Sequence, residues 1–134
     1  MNKNFLKNIN ILPIINYNIV LKLLYQVGLG LNYLHTLKLP CYHADIKQEN
    51  IIVYGSIDNI KTLKCKLTDF SLSGTIMYKG EFGGTLGYSS PETYIGEKKD
   101  YLKSDIWSYG VLILKSLTGY YLINIIKNDK QEEY

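Results

Sequence analysis

The sequence predicts a mainly α-helical fold with one small β-hairpin, an α+β arrangement in a chain of 134 residues. Two long apolar patterns with helical spacing, one near the start of the chain and one near its end, predict the helices. Two short runs of strand-forming residues, separated by a turn-rich stretch, predict the hairpin between them. Because a chain of this length buries about 70% of its unfolded surface, we expect one modest domain.

The first predicted helix runs from Asn18 to Leu37. Its apolar residues recur at steps of three and four, which places them on one face, and Pro40 follows just beyond its end. The residues of this face are Ile19, Val20, Leu23, Leu24, Val27, Leu31 and Leu34. The preceding stretch, FLKNINILP, is expected to end another helix and to connect it to this one.

The hairpin is predicted from two strands, Ile51 to Tyr54 and Leu63 to Thr68, which the turn-rich stretch GSIDN joins. An almost entirely polar octet, residues 43–50, precedes the first strand. It has neither helical nor strand periodicity and is therefore predicted as a loop. Because paired strands lie side by side, we expect the octet and the residues after the second strand to meet in space.

Residues 69–103 show no sustained period and predict a long loop with one helical turn after Pro91. A second long helix is expected to start with Ser104 as its N-cap and Asp105 at its positive end. Gly119 is expected to end it. The apolar residues expected to bury this helix are Ile106, Trp107, Val111, Leu112, Leu114 and Leu117. The last residues, NDKQEEY, are expected to be frayed.

The composition argues against several classes of protein. With 46% hydrophobic and 20% charged residues, the chain is typical of globular proteins. Its net charge of +3 comes from scattered lysines without a basic stripe, so nucleic acid is not an expected partner. No apolar run approaches the ~20 residues of a membrane span, and Cys41 and Cys65 lack metal spacing and are expected in the core. We therefore expect an intracellular protein of the reducing cytoplasm that does not bind membranes.

The octet HADIKQEN at residues 43–50 resembles the catalytic loop of protein kinases, H-R-D-L-x-x-x-N. Ala44 stands in place of the arginine and Ile46 in place of the leucine. The stretch DFS that follows the second strand, residues 69–71, resembles the metal-binding D-F-G of the same family.

Two further motifs follow in the order of that family. The stretch GTLGYSSPE, residues 84–92, resembles the end of a kinase activation segment, and DIWSYG, residues 105–110, resembles the D-x-W-S-x-G of the next helix. The resemblance runs from about Phe5 to Gly119. It implies an incomplete, protein-kinase-like C-terminal lobe of the eukaryotic serine/threonine type.

The resemblance implies a role for each polar residue of these motifs. Asp45 would accept the proton of a substrate hydroxyl, and Lys47 would steady the transferring phosphate, so these two are the implied catalytic residues. Lys47, Asn50 and Asp69 would contact the cofactor ATP, and Asn50 and Asp69 would hold Mg²⁺ through oxygen atoms. Lys47 together with Thr85 is similar to the serine/threonine type, so a Ser or Thr hydroxyl of a protein is the implied acceptor.

Each assignment has a simpler alternative. Without the other motifs, Asp45 and Asn50 would be ordinary loop residues, and Asp69 would be a turn residue after a strand. Asp105 is explained either by the helix dipole or, through the resemblance, by binding to backbone amides of the catalytic loop. His43 is expected to be a structural support.

The chain departs from the family pattern in several places. It contains no G-x-G-x-x-G, no strand lysine of the V-A-I-K type and no arginine, so the small lobe that clamps ATP is not expected in it. Ala44 removes the arginine that binds a phosphorylated activation segment, and Ser71 replaces a glycine beside Asp69. Without an arginine partner, Glu92 is expected to find a lysine, a backbone amide or water.

We therefore expect residues 1–134 to be a partial protein kinase domain, from the end of helix D to the end of helix F, without the N-terminal lobe and the last helices. The implied function is that of a protein serine/threonine kinase, although the missing lobe argues against catalysis by this chain alone. A gene-model fragment, a decayed gene and a functional pseudokinase are all open.

The alternative function is a pseudokinase-like binding module without catalysis. The retained polar groups of the catalytic loop argue against it, because a scaffold does not need them. A small-molecule phosphotransferase with a similar loop is disfavoured by the S-P-E and D-x-W-S-x-G stretches. The implied partners are a protein substrate and a second chain that covers apolar surface left open by the incomplete lobe.

Overall fold

The structure, a computed structural model, describes residues 17–77, 84–95 and 100–119. The described helices are α1 (Tyr17–His35), α2 (Pro91–Ile95) and α3 (Tyr101–Thr118). The described strands are β1 (Cys41–Tyr42), β2 (Ile51–Tyr54), β3 (Lys64–Leu67) and β4 (Gly74–Thr75), and a 3₁₀ turn, Gln48–Asn50, precedes β2. The predicted combination of helices with a small antiparallel hairpin is confirmed.

Helices α1 and α3 pack antiparallel at the centre of the fold. His35 at the end of α1 contacts Asp105 near the start of α3, while the Leu24 carbonyl, closer to the start of α1, accepts from the Tyr109 hydroxyl. Gly28 permits this close approach, because a Cβ there would lie 2.7 Å from the Tyr109 hydroxyl oxygen. The core residues are Leu24, Val27, Leu31, Ile46, Cys65, Tyr88, Val111 and Leu112. Each buried aliphatic side chain stabilises the fold by about 1.5–3 kcal/mol.

The strands β2 and β3 form the predicted hairpin, in which Ile51 lies opposite Leu67. A second antiparallel pair, β1 with β4, places Cys41 opposite Thr75. This pair is not predicted from the sequence, because strands of two residues are too short to show a period. Its effect is to hold the segment before the octet against the segment after β3.

The start of α3 corrects the sequence analysis. The helix begins at Tyr101, and its N-cap is Asp100, whose carboxylate accepts from the Lys103 backbone N–H at 3.2 Å. The prediction of Ser104 as N-cap and of Asp105 at the helix start is therefore wrong. Asp100 and Ser104 are both good capping residues, and the extra turn places Asp105 inside the helix with its side chain buried.

The remainder of α3 follows the prediction in part. Gly119 ends the helix in the left-handed conformation, with φ of 76°, as expected for a glycine C-cap. Val111 and Leu112 are buried, but Ile106 and Trp107 are exposed, so the prediction that these two bury the helix is wrong. They follow directly after the buried Asp105 and therefore point away from the face that packs on α1.

The outer side of α1 carries exposed apolar residues that the sequence analysis did not anticipate. Every fourth residue on this side is a large apolar one, with 50% to 66% of its surface exposed. These residues, called the Tyr/Leu stripe below, are Tyr17, Leu21, Tyr25, Leu29 and Tyr33. Residues spaced by four form one ridge on a helix surface.

Two predicted stretches, FLKNINILP and NDKQEEY, lie outside the described residues. The loop predicted over 69–103 is described except at 78–83 and 96–99. Its expected helical turn after Pro91 is α2, and it also contains β4. Within the described residues, none of the helices has the length and apolar character needed to cross a membrane.

Candidate active site

The octet follows β1 and ends with the 3₁₀ turn, and the side chains of Lys47 and Asn50 converge on Asp45. The turn is closed by the Asn50 N–H, which donates to the Lys47 carbonyl at 3.2 Å. It directs the Asn50 amide back along the chain, where Nδ2 donates to both the carbonyl and the Oδ2 of Asp45 at 2.9 Å. The structure therefore brings Asp45 and Asn50 into direct contact.

Both oxygens of the Asp45 carboxylate are hydrogen-bonded. Lys47 Nζ donates to Oδ2 at 2.7 Å, and Thr85 Oγ1 donates to Oδ1 at 2.7 Å. The Thr85 hydroxyl in turn accepts from Lys47 Nζ at 2.8 Å. Asp45, Lys47 and Thr85 thus form a closed ring of three hydrogen bonds, each of which has an ionised donor or acceptor.

Thr85 is a site residue that the sequence analysis used only as a sign of acceptor type. It lies 40 residues from Asp45, in a segment without periodicity, so no spacing rule predicts their contact. The signal in the sequence that could have identified Thr85 is the motif GTLGYSSPE, residues 84–92, in which it lies.

The ring favours the ionised state of both Asp45 and Lys47. Burial raises the pKa of the Asp45 carboxyl, but hydrogen bonds from Lys47, Thr85 and Asn50 outweigh burial and lower that pKa below its usual value. The hydrogen bond to Asp45 raises the pKa of Lys47 above its usual value. At neutral pH the pair is therefore ionised, and the carboxylate can accept a further hydrogen bond from a hydroxyl.

The buried carboxylate of Asp105 fixes the first half of the octet. Its two oxygens accept from the backbone N–H groups of His43 and Ala44, each at 2.8 Å, as the family resemblance implies. Ala44 has φ of 68°, a left-handed conformation that costs an ordinary residue about 1–2 kcal/mol. The two hydrogen bonds to a buried acceptor hold the backbone in this conformation.

His35 is a second residue that the sequence analysis missed. Its Nε2 lies 2.9 Å from Asp105 Oδ2, so the end of α1 is tied to the same carboxylate that holds the octet. A histidine at the end of a helix is common for several reasons, and no local sequence pattern predicts the contact of His35 with Asp105.

His43 is fully buried and supports the loop through its ring. Its Nδ1 accepts from the Asp45 N–H at 3.3 Å, so Nε2 carries the hydrogen and donates to the Thr68 carbonyl at 3.1 Å. The ring also packs against Phe70, with centroids 4.8 Å apart. The expectation that His43 is a structural support is confirmed.

Strand β3 brings Asp69 to the edge of this cluster. The Thr68 N–H donates to the Asn50 carbonyl at 3.0 Å, so Asp69 follows directly beside the end of the octet. Its Oδ1 accepts from the Ser71 hydroxyl at 2.7 Å and from the Ser71 N–H at 3.3 Å. These two bonds lower the pKa of the exposed Asp69 carboxyl. Among the described residues, Asp69 makes no side-chain hydrogen bond to Asp45 or Asn50.

The oxygen atoms that remain available at this site are suitable ligands for a magnesium ion. Mg²⁺ prefers oxygen ligands and commonly takes only one or two from the protein, the others being water and phosphate. The Asn50 Nδ2 is bonded to Asp45, which leaves its Oδ1 for a cation, and Asp69 Oδ2 accepts no hydrogen bond from the described residues. Within the part of the chain that is described, no three His, Cys, Asp or Glu side chains form a metal cluster.

The carboxylate of Glu92 has other hydrogen-bond partners in place of an arginine, which the chain lacks. The backbone N–H of Glu92 itself and the Ser90 hydroxyl lower the pKa of this carboxyl. The Ser104 hydroxyl also donates to Glu92, at 3.4 Å, and itself accepts from Ser90 at 2.9 Å. Serine hydroxyls as partners are not anticipated by the sequence analysis.

Comparison with known proteins decides the family of this chain. The family model of the protein kinase domain matches residues 3–134. The chain belongs to the protein kinase family. The kinase resemblance drawn from the four motifs is therefore confirmed.

Several kinases from plants and a slime mould are similar to this chain. A receptor-like protein kinase of Arabidopsis thaliana is 36% identical over 127 residues, which cover 87% of this chain and 13% of that protein. The dual specificity protein kinase splA of Dictyostelium discoideum is 33% identical over 115 residues, or 78% of this chain and 5% of that protein. Mitogen-activated protein kinase kinase 7 of Arabidopsis thaliana is 36% identical over 103 residues, or 72% of this chain and 31% of that protein. This kinase chain thus spans less than a third of each of these relatives.

Proposed function

We propose that residues 1–134 form an incomplete C-terminal lobe of a serine/threonine protein kinase domain, which in the helix naming of that family runs from the end of helix D to the end of helix F. The proposed reaction is transfer of the γ-phosphoryl group of ATP to a Ser or Thr hydroxyl of a protein. The observation that carries this proposal is the ring of Asp45, Lys47 and Thr85, to which the Asn50 amide is attached. The serine/threonine relatives of similar sequence support it.

Each residue of the ring has a task in this proposal. Asp45 is ionised and orients the acceptor hydroxyl, whose proton it takes. Lys47 is held between Asp45 and Thr85, where its fixed positive charge stabilises negative charge that develops on the transferring group. Bound magnesium would neutralise further phosphate charge, with Asn50 and Asp69 as its protein ligands.

The proposed partners are ATP with Mg²⁺, a protein substrate, and a second chain over the Tyr/Leu stripe. The proposal includes neither nucleic acid nor a membrane, and the lysines of the sequence are scattered without a basic stripe. The proposed compartment is the cytoplasm. Cys41 and Cys65 are both free thiols, the usual state of cysteines in a reducing compartment.

The proposal is tested in a chimeric kinase domain, in which residues 17–119 replace the corresponding segment of an active serine/threonine kinase. We expect Mg²⁺-dependent transfer of radioactive phosphate from ATP to a protein substrate. Asp45→Asn should lower the rate about 100-fold or more, because the group that orients and deprotonates the hydroxyl is lost. The matched control is Asp58→Asn, which changes an exposed aspartate of the hairpin turn.

A folded chimera that binds ATP but transfers no phosphate would contradict the proposal. That result would favour the pseudokinase-like binding module.

The 134-residue chain alone is expected to bind MgATP weakly or not at all. Its sequence offers no glycine-rich loop and no strand lysine to hold the phosphates, and no second lobe to close an apolar slot over the adenine. Isothermal titration of the chain with MgATP measures this directly. A micromolar affinity would contradict this expectation, because it would show that the chain binds nucleotide without a glycine-rich loop, a strand lysine or a second lobe.

A further inference from the structure

We infer that Ser71 is a positioning residue, whose side chain holds the Asp69 carboxylate in one orientation for a divalent cation. The inference rests on the proposed function, in which Asp69 is a metal ligand. Ser71 stands where the D-F-G motif has a glycine.

The two hydrogen bonds from Ser71 are directed to the same oxygen. The hydroxyl donates to Asp69 Oδ1 at 2.7 Å and the backbone N–H donates to it at 3.3 Å. Among the described residues, only Ser71 donates to this carboxylate. Oδ1 is therefore occupied, Oδ2 remains open, and the cation is expected to bind one carboxylate oxygen rather than both.

The backbone of Asp69 reinforces the argument. Its φ is 61°, in the left-handed region, which an aspartate tolerates because its short side chain can bond to the nearby backbone. A glycine at position 71 would supply only the longer of the two bonds, the one from the N–H. The Ser71 hydroxyl thus adds the shorter bond, which fixes both the side-chain rotamer and the local turn.

The hydroxyl matters because Asp69 is exposed and has few other constraints. A free carboxylate side chain has to be immobilised when it binds a cation, whereas one already held by Ser71 does not. Loss of this pre-organisation is expected to weaken cation binding by about two- to tenfold.

The experiment measures Mn²⁺ binding to the 134-residue chain by the loss of the electron paramagnetic resonance signal of free Mn²⁺. The variants are Ser71→Ala, which removes the hydroxyl, Ser71→Thr, which keeps it, and Asp69→Asn, which removes the charge of the proposed ligand. Ser56→Ala removes an exposed hydroxyl of the hairpin turn and serves as the control. Circular dichroism verifies that each variant is folded.

We expect Asp69→Asn to abolish the tightest Mn²⁺ binding, Ser71→Ala to weaken it by about two- to tenfold, and Ser71→Thr and Ser56→Ala to bind like the wild type. If Asp69→Asn abolishes binding while Ser71→Ala does not change it, the inference is wrong and the proposed metal site stands. If Asp69→Asn leaves binding unchanged, the metal site itself is refuted, and the role of Ser71 with it.

Discussion

Asp45, Asp69 and Asp105 have the same side chain in three different environments. Asp45 is largely buried and paired with Lys47, Asp105 is buried and accepts from backbone amides, and Asp69 is exposed and held by Ser71. Because the partners of a carboxylate determine its ionisation and mobility, each environment suits a different task. The first suits orientation of a hydroxyl, the second anchoring of a loop and the third contact with a cation.

The lowered pKa of Asp45 predicts how stability depends on pH. The folded protein holds the proton of this carboxyl less tightly than the unfolded chain does. Its contribution to stability is therefore complete above the ordinary aspartate pKa of about 3.9 and is lost as the pH falls through the lower pKa of the folded state. Asp45→Asn should reduce the free energy of unfolding by about 1–3 kcal/mol at pH 7 and should flatten its decrease below pH ~4.

This prediction is measured by urea denaturation between neutral and acid pH. Asp58→Asn, at the exposed hairpin turn, is the control and should leave the acid dependence as in the wild type. An Asp45→Asn variant that loses stability toward low pH as steeply as the wild type would contradict the prediction.

Helix α3 acts as the anchor of the octet, because one of its side chains caps backbone groups of another segment. Asp105 holds the His43 and Ala44 amides and contacts His35, so two other segments, the octet and the end of α1, depend on one buried carboxylate. The N-cap Asp100, in contrast, bonds within its own helix to Lys103, and no bond to another of the described segments is seen. The N-cap Asp100 and the buried Asp105, which lies five residues later inside the helix, therefore differ in the segments that they hold.

This difference predicts unequal effects of substitution. Asp105→Asn presents an NH₂ group to a backbone N–H, which leaves a buried donor without an acceptor and should cost about 1–3 kcal/mol. It should also shift the amide resonances of His43 and Ala44. Asp100→Ala should cost about 1 kcal/mol and disturb only the first turn of α3. Urea denaturation and amide NMR spectra give both quantities. Unchanged His43 and Ala44 resonances in Asp105→Asn would refute the anchoring role.

On the scale of the whole molecule, the described residues include many exposed apolar side chains. The Tyr/Leu stripe lies along the outer side of α1, and Ile106 and Trp107 are exposed on α3. A cavity of about 260 Å³ opens between α1, β2 and α3, lined mainly by Val20, Leu23, Leu24, Val27, Ile51, Val53 and Leu112. Exposed apolar surface of several hundred Å² is unusual for a soluble monomer and favours association.

We therefore expect the 134-residue chain to bind a hydrophobic dye, to self-associate and to be marginally stable. Tyr25→Lys should reduce dye binding and association without loss of stability, because this side chain is 65% exposed. Asn32→Lys adds the same charge on the same helix without removing apolar surface and is the control. Dye fluorescence and sedimentation measure the effect. A monomer that binds no dye and unfolds cooperatively above about 60 °C would contradict this prediction.

Features that depend on neighbouring residues could be predicted from the sequence. The apolar face of α1, the hairpin of β2 and β3, and the glycine that ends α3 were all predicted, because periodicity, turn composition and capping act over a few residues. The four motifs led to the kinase family in the same way, since each motif is a short local string. The octet was predicted as a loop, and the contact of Asp45 with Asn50 follows from the turn between them.

Other features depend on contacts between distant segments, and local patterns carry no information about these. The pairing of β1 with β4 joins remote segments of the chain, and the extra first turn of α3 stacks the ring of Tyr101 on that of Tyr42, with centroids 4.4 Å apart. The contact of Thr85 with Asp45 and that of His35 with Asp105 join residues 40 and 70 positions apart. The local sequence does not determine which partner each of these side chains or strands will have. The partners are determined only when the segments pack together, because buried polar groups must then be hydrogen-bonded.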